Sequence, residues 1–136
     1  MVVADGKGVP LGILLASASP AEVRLIEETL DQVPGQESVD GEIDKLIYDK
    51  AADSDPLRLR LRERGIELVC PHRRNRKRRS LQDGRALRRY RRRWKIERTI
   101  AWLGNYRRLL IRHERNPRMY LAFVHLACAL IALVRL

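Results

Sequence analysis

The stretch LIYDKAADSDPLRLRLRERGIELVC, residues 46–70, sets the fold class of the chain. It opens with a short apolar run that ends abruptly at Asp49, which is typical of a buried strand with an acid at its C-terminal tip. Asp55 and Pro56 then supply an N-cap and a first helical residue, and Gly65 suits the position just past a helix end. A second apolar run closes the stretch. A strand, a helix and a strand in this order predict an α/β fold with a parallel component in its sheet.

Two strands and a helix are predicted before that stretch. Met1–Ala4 and Val9–Ala16 are rich in Val, Leu and Ile, and they flank Asp5–Gly8, where an Asp-Gly step can supply the positive φ of a tight hairpin turn. Ser19 and Glu22 form a capping box, which predicts a helix that begins at Ser19. The first 70 residues therefore have the predicted order β-β-α-β-α-β.

The second half of the chain is predicted to be helical. Between Asp83 and Leu103 apolar and aromatic residues recur at helical spacing on one face, interrupted by Glu97. The members of that face are Leu87, Tyr90, Trp94 and Ala101. The last helix, Pro117 to Leu136, contains an apolar run of sixteen residues broken by one histidine. Because a bilayer span needs ~20 apolar residues, we predict a core or interface helix and no membrane partner.

The net charge of +11 is divided unevenly along the chain. Residues 1–70 carry 8 Lys and Arg against 14 Asp and Glu, whereas residues 71–136 carry 20 against 3. Basic side chains are densest in the run RRNRKRR, residues 73–79, within a loop predicted over 71–82. Such a run is either a solvated surface or a phosphate-binding segment. The excess of Arg favours phosphate, because a guanidinium binds it through two hydrogen bonds, and double-stranded DNA is the expected partner.

The cysteine and histidine content excludes several site types. Cys70 and Cys128 are too few and too far apart in sequence for a disulfide framework or a four-ligand zinc site. His72, His113 and His125 show no metal-ligand spacing and are predicted to be ordinary surface or packed residues. The N-terminus lacks the pattern of a secretory signal. We therefore expect reduced thiols in a cytoplasmic protein.

Glu97 stands out because an unpaired acid on an apolar helix face is costly. One explanation is an ion pair with Arg93, four residues earlier, or with the adjacent Arg98. The other is a functional site. Tyr90, Arg93 and Glu97 are spaced by three and four residues and would share one helix face, where Asp49 at its strand tip could meet Glu97. These residues alone leave both explanations open.

The stretch YRRRWKIERTIAWLGNYRRLL, residues 90–110, resembles the C-terminal signature of bacterial insertion-sequence DDE transposases of the insertion-sequence-five group. In that family a Tyr, two residues, an Arg, three residues and a Glu follow one another, and Tyr90, Arg93 and Glu97 match this pattern. The segments DGKGVPLGILLASASPAE and LIYDKAADSDPLRLRLRERGI are similar to the parts after the family's first strand and around its second catalytic Asp. The resemblance implies that Asp49 is that Asp and that Glu97 is the third catalytic carboxylate.

The resemblance also implies a ribonuclease-H-like fold in which three carboxylates hold two Mg²⁺ or Mn²⁺ ions about 4 Å apart. The family's first catalytic Asp lies on a central strand upstream of the hairpin. We therefore expect a C-terminal part of the catalytic domain, a partial fold without that strand, which is inactive until an upstream segment completes the metal site. Its helical part, residues 83–136, carries the Glu.

Tyr90 and Arg93 are expected to orient Glu97 or to hold a DNA phosphate. Contacts to the DNA backbone without sequence readout are expected from Arg73, Arg74, Arg76, Lys77, Arg78, Arg79, Arg107 and Arg108.

The chain departs from the family pattern near both acids. Ala51 and Ala52 stand where Gly and an aromatic residue are usual, and Gly104 stands where a basic residue is expected. Two classes of function are compatible with these observations. One is a transposase part that acts at transposon ends, either with an upstream-frame product or as a homo-oligomer. The other is a non-enzymatic basic nucleic-acid-binding protein or an inert mobile-element remnant.

Overall fold

The computed structural model describes residues 1–35, 43–77 and 84–135, and its architecture is mixed α/β with two small sheets and several helices. The strands and α-helices in chain order are β1 (Val2–Ala4), β2 (Pro10–Ile13), α1 (Ile26–Leu30), β3 (Lys45–Ile47), α2 (Asp55–Glu63), β4 (Glu67–Val69), α3 (Leu87–Tyr90), α4 (Trp94–Gly104), α5 (Arg107–Leu110) and α6 (Pro117–Arg135). The mixed α/β class predicted from the sequence is confirmed.

The elements belong to two compact units. Unit 1 consists of Met1–Pro34 and Trp94–Leu136, and unit 2 consists of Gly35–Arg93. Unit 1 therefore joins the N-terminal hairpin to the C-terminal helices α4, α5 and α6, whereas unit 2 contains the strand–helix–strand stretch and α3.

β1 and β2 of unit 1 form the predicted antiparallel hairpin. The Asp5 carboxylate closes the turn by accepting hydrogen bonds from the amides of Lys7 and Val9 at 2.7 and 2.8 Å. The positive φ occurs at Gly8, at 88°, and not at the Asp-Gly step. The reason is that the connection spans Asp5–Val9, and in a loop longer than two residues the left-handed position falls near its end.

The helix expected to begin at Ser19 begins later. Glu22–Leu25 forms a 3-10 turn without a side-chain cap, and α1 follows it directly. Ala21 in extended conformation precedes the first helical residue, so Ser19 lies outside the helix and the capping-box prediction is wrong. Ile26 and Leu30 of α1 are buried.

Unit 2 contains the predicted parallel arrangement. β3 and β4 pair in parallel, with Leu46 opposite Leu68, and α2 connects them. Ser54 rather than Asp55 is the N-cap, because Asp55 is already helical. Gly65 adopts a φ of 76° just past the helix end, as predicted. Because parallel strands run the same way, the segments that follow β3 and β4 leave the sheet at the same edge.

The helix predicted over residues 83–103 is divided into α3 and α4. Between them the amides of Arg92 and Arg93 bond to carbonyls three residues earlier, at 2.9 and 3.0 Å, which is 3-10 and not α-helical bonding. Arginines four apart, such as Arg89 and Arg93, repel each other on a helix. The prediction of one continuous helix is therefore wrong, and its predicted first residue, Asp83, lies outside the described residues.

The predicted apolar C-terminal helix is present as α6. Ala127 and Ile131 on one side of it are buried together with Leu103 of α4, which agrees with a core helix. The other side exposes apolar residues, among them Leu130 and Leu133. By length and composition alone α6 could also cross a membrane, with a mean hydropathy of 1.8. The absence of a membrane partner stays a prediction.

Candidate active site

Asp49 lies directly beyond the end of β3. The amide of the preceding Tyr48 still bonds to the carbonyl of Val69 at 3.0 Å, so the strand pairing continues to the residue before the acid. Asp49 then caps the 3-10 turn Lys50–Ala52, and its Oδ1 accepts a 2.7 Å hydrogen bond from the amide of Ala51. The predicted position of Asp49 at a strand tip is confirmed.

Asp53, just before α2, is the centre of a buried ion-pair cluster, and its side chain is only 2% exposed. Its Oδ1 lies 2.8 Å from Nδ1 of His72 and 3.3 Å from guanidinium nitrogens of Arg58 and Arg76. Its Oδ2 accepts a 2.8 Å bond from the amide of Arg73. Burial alone raises the pKa of this carboxyl, but the hydrogen bonds from Arg73, His72 and Arg58 outweigh burial and lower the pKa from 3.8 to about 2.

Arg58 connects this cluster to the sheet. Its guanidinium donates to the carbonyl of Leu68 at 2.8 Å and to the carbonyl of Cys70 at 3.1 Å. The Arg58 side chain of α2 therefore binds both the C-terminal end of β4 and the Asp53 carboxylate. Cys70 and Cys128 are free thiols, and burial raises the pKa of Cys128 to about 11.

The first arginine of the basic run is bound to the turn after Asp49. The Nη2 of Arg73 donates to the carbonyl of Ala51 at 2.8 Å, and its Nε donates to the carbonyl of Lys50 at 3.3 Å. The side chain of Arg73 therefore spans the Lys50–Ala52 turn. These contacts are possible because the chain after β4 leaves the sheet beside the chain after β3.

The other basic residues of the run differ in their surroundings. Arg76 is only 12% exposed and pairs with Asp55 at 2.7 Å and with Asp53 at 3.3 Å. Arg74 and Lys77 are exposed. Arg78 and Arg79 lie outside the described residues. Among the described basic residues of the run, Arg74 and Lys77 are therefore the best placed to meet a phosphate.

Tyr90 and Arg93 of the family motif meet in unit 2. The guanidinium carbon of Arg93 lies 5.8 Å from the centre of the Tyr90 ring, within the range of a cation–π contact. The amide of Arg93 also bonds to the carbonyl of Tyr90 at 3.0 Å. The expected proximity of these two side chains is thus present, while their contact with Glu97 or with DNA stays a prediction.

Glu97 lies on the exposed side of α4 in unit 1. The prediction that it interrupts a buried apolar face is wrong, since Trp94 is 51% exposed and Ala101 is exposed as well. The buried residues of α4 are Thr99 and Leu103, on a different side of the helix. An exposed carboxylate does not carry the cost of burying an unpaired charge, so this position of Glu97 needs no compensating partner.

Hydrogen bonds to the hairpin turn explain which side of α4 is packed. Lys95, Arg98 and Thr99 donate to the carbonyls of residues 6, 7 and 8 of the turn. The Arg98 bond is 2.6 Å long, and the Thr99 hydroxyl, fully buried, lies 2.7 Å from its acceptor. Because these donors face the hairpin, the helix directs Glu97 elsewhere.

Aromatic rings hold Arg98, the neighbour of Glu97, in place. The guanidinium carbon of Arg98 lies 4.8 Å from the ring centre of Trp94 and 4.7 Å from that of Trp102. Arg135 covers the Trp102 ring as well, at 4.1 Å. Stacked guanidinium and indole groups of this kind lose little mobility on binding a partner, so this part of α4 is preorganised.

Two further predicted DNA contacts lie on α5. Arg107 is exposed. Arg108 forms a 2.7 Å ion pair with Glu114 and covers the Phe123 ring at 5.0 Å. Arg107 is therefore the more available of the two for a phosphate.

Two carboxylates among the described residues have the donor chemistry of divalent-metal ligands. Within the described part of the chain, no three His, Cys, Asp or Glu side chains are grouped so that they could hold a metal ion. Asp49 and Glu97 are nevertheless of the ligand type that Mg²⁺ prefers, and this ion is commonly bound by one or two carboxylates together with substrate phosphates. The donor chemistry of these two side chains therefore suits the divalent metal that the resemblance implies.

Sequence reasoning missed the Asp53 cluster. His72 was expected to be an ordinary residue, and Asp53 and Arg58 had no predicted role. A signal was present: acids before α2 and basic residues after β4 are brought together when the two strands are parallel, because both segments leave the same sheet edge.

Comparison with known proteins agrees with the resemblance drawn from the motifs. A protein of Burkholderia cepacia assigned as the transposase for insertion sequence element IS402 is 37% identical over 134 residues, which cover 96% of this chain and 60% of that protein. No solved structure matches the chain. Residues 1–132 match the family model described as Transposase DDE domain. The chain therefore belongs to the transposase DDE domain family.

Proposed function

We propose that this chain is the C-terminal part of a DDE transposase and performs metal-dependent phosphoryl transfer on DNA when an upstream segment completes its site. The family match over residues 1–132 carries this proposal. The chain spans 60% of the length of its Burkholderia cepacia relative, so the activity of a complete transposase is itself part of the proposal.

The two small sheets support a ribonuclease-H-like fold. An antiparallel hairpin, β1 with β2, and a parallel pair, β3 with β4, are both parts of a fold of that kind. The proposal adds a central strand, contributed by the upstream segment, which carries the first acid.

Asp49 and Glu97 are the proposed metal ligands. Asp49 is suited to this role because the amide of Ala51 fixes one of its oxygens, and Glu97 because it is exposed on α4. When bound, two divalent ions activate the attacking oxygen and stabilise the leaving oxygen of a phosphoryl transfer. Tyr90 and Arg93, which contact each other, are proposed to orient Glu97 or to hold a DNA phosphate.

DNA binding is proposed for the exposed basic residues of both units. Arg74 and Lys77 in unit 2 and Arg107 in unit 1 are exposed and can neutralise backbone phosphates. The partner is the transposon end, and a second copy of the chain or an upstream-frame product is the proposed protein partner.

A chimera tests the catalytic proposal. The N-terminal part of the Burkholderia cepacia relative is joined to residues 1–136, and cleavage of DNA carrying transposon ends is measured with Mg²⁺ and with Mn²⁺. We expect cleavage by the chimera and none by the 136-residue chain, because the proposed metal site takes its first acid from the upstream segment. Asp49→Asn and Glu97→Gln should each lower the rate about 100-fold or more, since lost electrostatic positioning has effects of this size, and should leave DNA binding intact.

Two results would refute the catalytic proposal. One is cleavage by the chimera that is as fast with Asp49→Asn or Glu97→Gln as without them. The other is metal-dependent cleavage by the 136-residue chain alone that is lost on changing Asp5, because Asp5 in the hairpin turn would then supply the acid that we assign to the upstream segment.

A second candidate function is DNA binding without catalysis, in a remnant of a mobile element. The 20 Lys and Arg against 3 Asp and Glu in residues 71–136 favour it, because such a charge binds DNA with or without an active site. It predicts DNA binding by the chain and by the chimera, and no cleavage by either with any divalent ion.

A further inference from the structure

The orientation of the Asp49 carboxylate depends on a very short turn. Two contacts tie the acid to this turn: the amide of Ala51 donates to its Oδ1 at 2.7 Å, and the amide of Ala52 donates to its carbonyl at 3.1 Å. A turn of three residues, Lys50–Ala52, has little internal bonding to keep it rigid. External contacts to its carbonyls therefore matter for the direction of the carboxylate.

Arg73 supplies those external contacts. Its guanidinium bonds to the carbonyls of Lys50 and Ala51, at 3.3 and 2.8 Å, and so holds two successive peptide groups of the turn. A guanidinium is planar and offers several donors in a fixed arrangement, which suits it to hold two acceptors at once.

Asp53 fixes the position of Arg73. Its Oδ2 accepts the amide proton of Arg73 at 2.8 Å, so the backbone from which the guanidinium extends is anchored to a buried carboxylate. Asp53 is itself bound by Arg58, which bonds to the carbonyls of Leu68 and Cys70 at the end of β4. A continuous series of contacts thus leads from the sheet to the turn.

We propose that Asp53 and Arg73 are positioning residues that orient the Asp49 carboxylate for a divalent cation. The inference rests on the proposed function, which makes Asp49 a metal ligand. In this role both residues act on Asp49 through other groups: Arg73 through the carbonyls of the turn, and Asp53 through the amide of Arg73. Partners that orient a metal ligand commonly affect metal affinity roughly 10- to 100-fold.

The test uses the 136-residue chain, ¹⁵N-labelled, with Mn²⁺ as the probe. The variants are Asp53→Asn and Arg73→Ala, and the second keeps the test decisive if the first fails to fold, because the Arg73 side chain is on the surface. Ile66→Val is the matched control, since it truncates a buried residue of unit 2 at the opposite end of β4. Asp49→Asn shows how much of the signal loss caused by Mn²⁺ at this position depends on the Asp49 carboxylate.

Two quantities are measured by NMR. The first is the backbone order parameter of Lys50–Ala52, which we expect to fall from about 0.85 towards 0.6 in both variants and to stay high in the control. The second is the Mn²⁺ concentration that halves the Asp49 amide signal, which should rise roughly tenfold in both variants.

Unchanged order parameters of the turn in Arg73→Ala and Asp53→Asn would overturn the inference. It would also be overturned if the turn became mobile while the Mn²⁺ concentration that halves the Asp49 amide signal stayed the same. If instead Asp49→Asn responds to Mn²⁺ like the unmodified chain, the proposed metal-binding role of Asp49 fails. The order parameters still decide in that case whether Asp53 and Arg73 hold the turn.

Discussion

At the scale of single residues, the buried carboxylate of Asp53 makes the stability of unit 2 depend on pH. Its pKa is lowered from 3.8 to about 2 in the folded state. A lowered pKa stabilises the folded chain fully above pH 4, and this stabilisation is lost as the pH falls from about 4 to about 2. We expect Asp53→Asn to lower the free energy of unfolding by about 2 kcal/mol at pH 6 and by much less at pH 2. Urea unfolding of both proteins across this range measures the difference.

The control for Asp53 is Asp44→Asn, at an exposed acid whose ion pair with Lys45 lies at the surface. Surface pairs contribute little, so this variant should follow the unmodified chain at every pH. A constant difference between Asp53→Asn and the unmodified chain from pH 2 to pH 6 would show that the Asp53 charge is not stabilising.

At the scale of elements, the docking of the hairpin turn on α4 depends on one glycine. Gly8 has a φ of 88°, and a Cβ there would lie 3.2 Å from side-chain atoms of both Arg98 and Thr99. We expect Gly8→Ala to lower the free energy of unfolding by about 1–2 kcal/mol, because L residues are strained at this φ. Gly6→Ala is the matched control, since its Cβ would have no neighbour within 4 Å. Thermal unfolding compares the two, and equal losses of stability would contradict the docking described for this turn.

Sequence patterns predicted those elements that their own residues specify. Gly65 follows the end of α2 with a positive φ, which glycine adopts readily. The apolar run before Asp49 forms a strand with the acid at its tip. Both features were predictable from neighbouring residues in the sequence. The packed side of α4 was not predictable from nearby residues. It depends on the hydrogen bond of the Thr99 hydroxyl to the hairpin turn, which lies 91 residues away in sequence. Periodicity considers only the spacing of apolar side chains. It therefore predicted that Glu97 lies on the packed side of α4, whereas Glu97 lies on the exposed side. Asp53 was missed for the same reason, since its partner His72 is 19 residues away.

At the scale of the whole molecule, the basic charge predicts DNA binding that weakens with salt. Each phosphate neutralised adds about 0.9 to the magnitude of the slope of log K against log salt. We expect Arg74→Ala with Lys77→Ala to reduce that magnitude by about 2, measured by fluorescence anisotropy with double-stranded DNA. The matched control removes two exposed arginines from the acidic half, Arg24→Ala with Arg62→Ala. An equal loss of affinity in both double variants would contradict a localised DNA-binding surface.

The central claim, that Asp49 and Glu97 bind the metal ions of a DNA-cleaving site, is tested most directly by exchanging ligand chemistry in the chimera. In Asp49→Cys and in Glu97→Cys the new thiolate disfavours Mg²⁺ and favours softer cations such as Cd²⁺. We predict that cleavage with Mg²⁺ falls about 100-fold in each variant, and that adding Cd²⁺ restores it in the Cys variants but not in Asp49→Ala or Glu97→Ala. Unimpaired cleavage by the Cys variants with Mg²⁺, or equal effects of Cd²⁺ on the Cys and Ala variants, would contradict it.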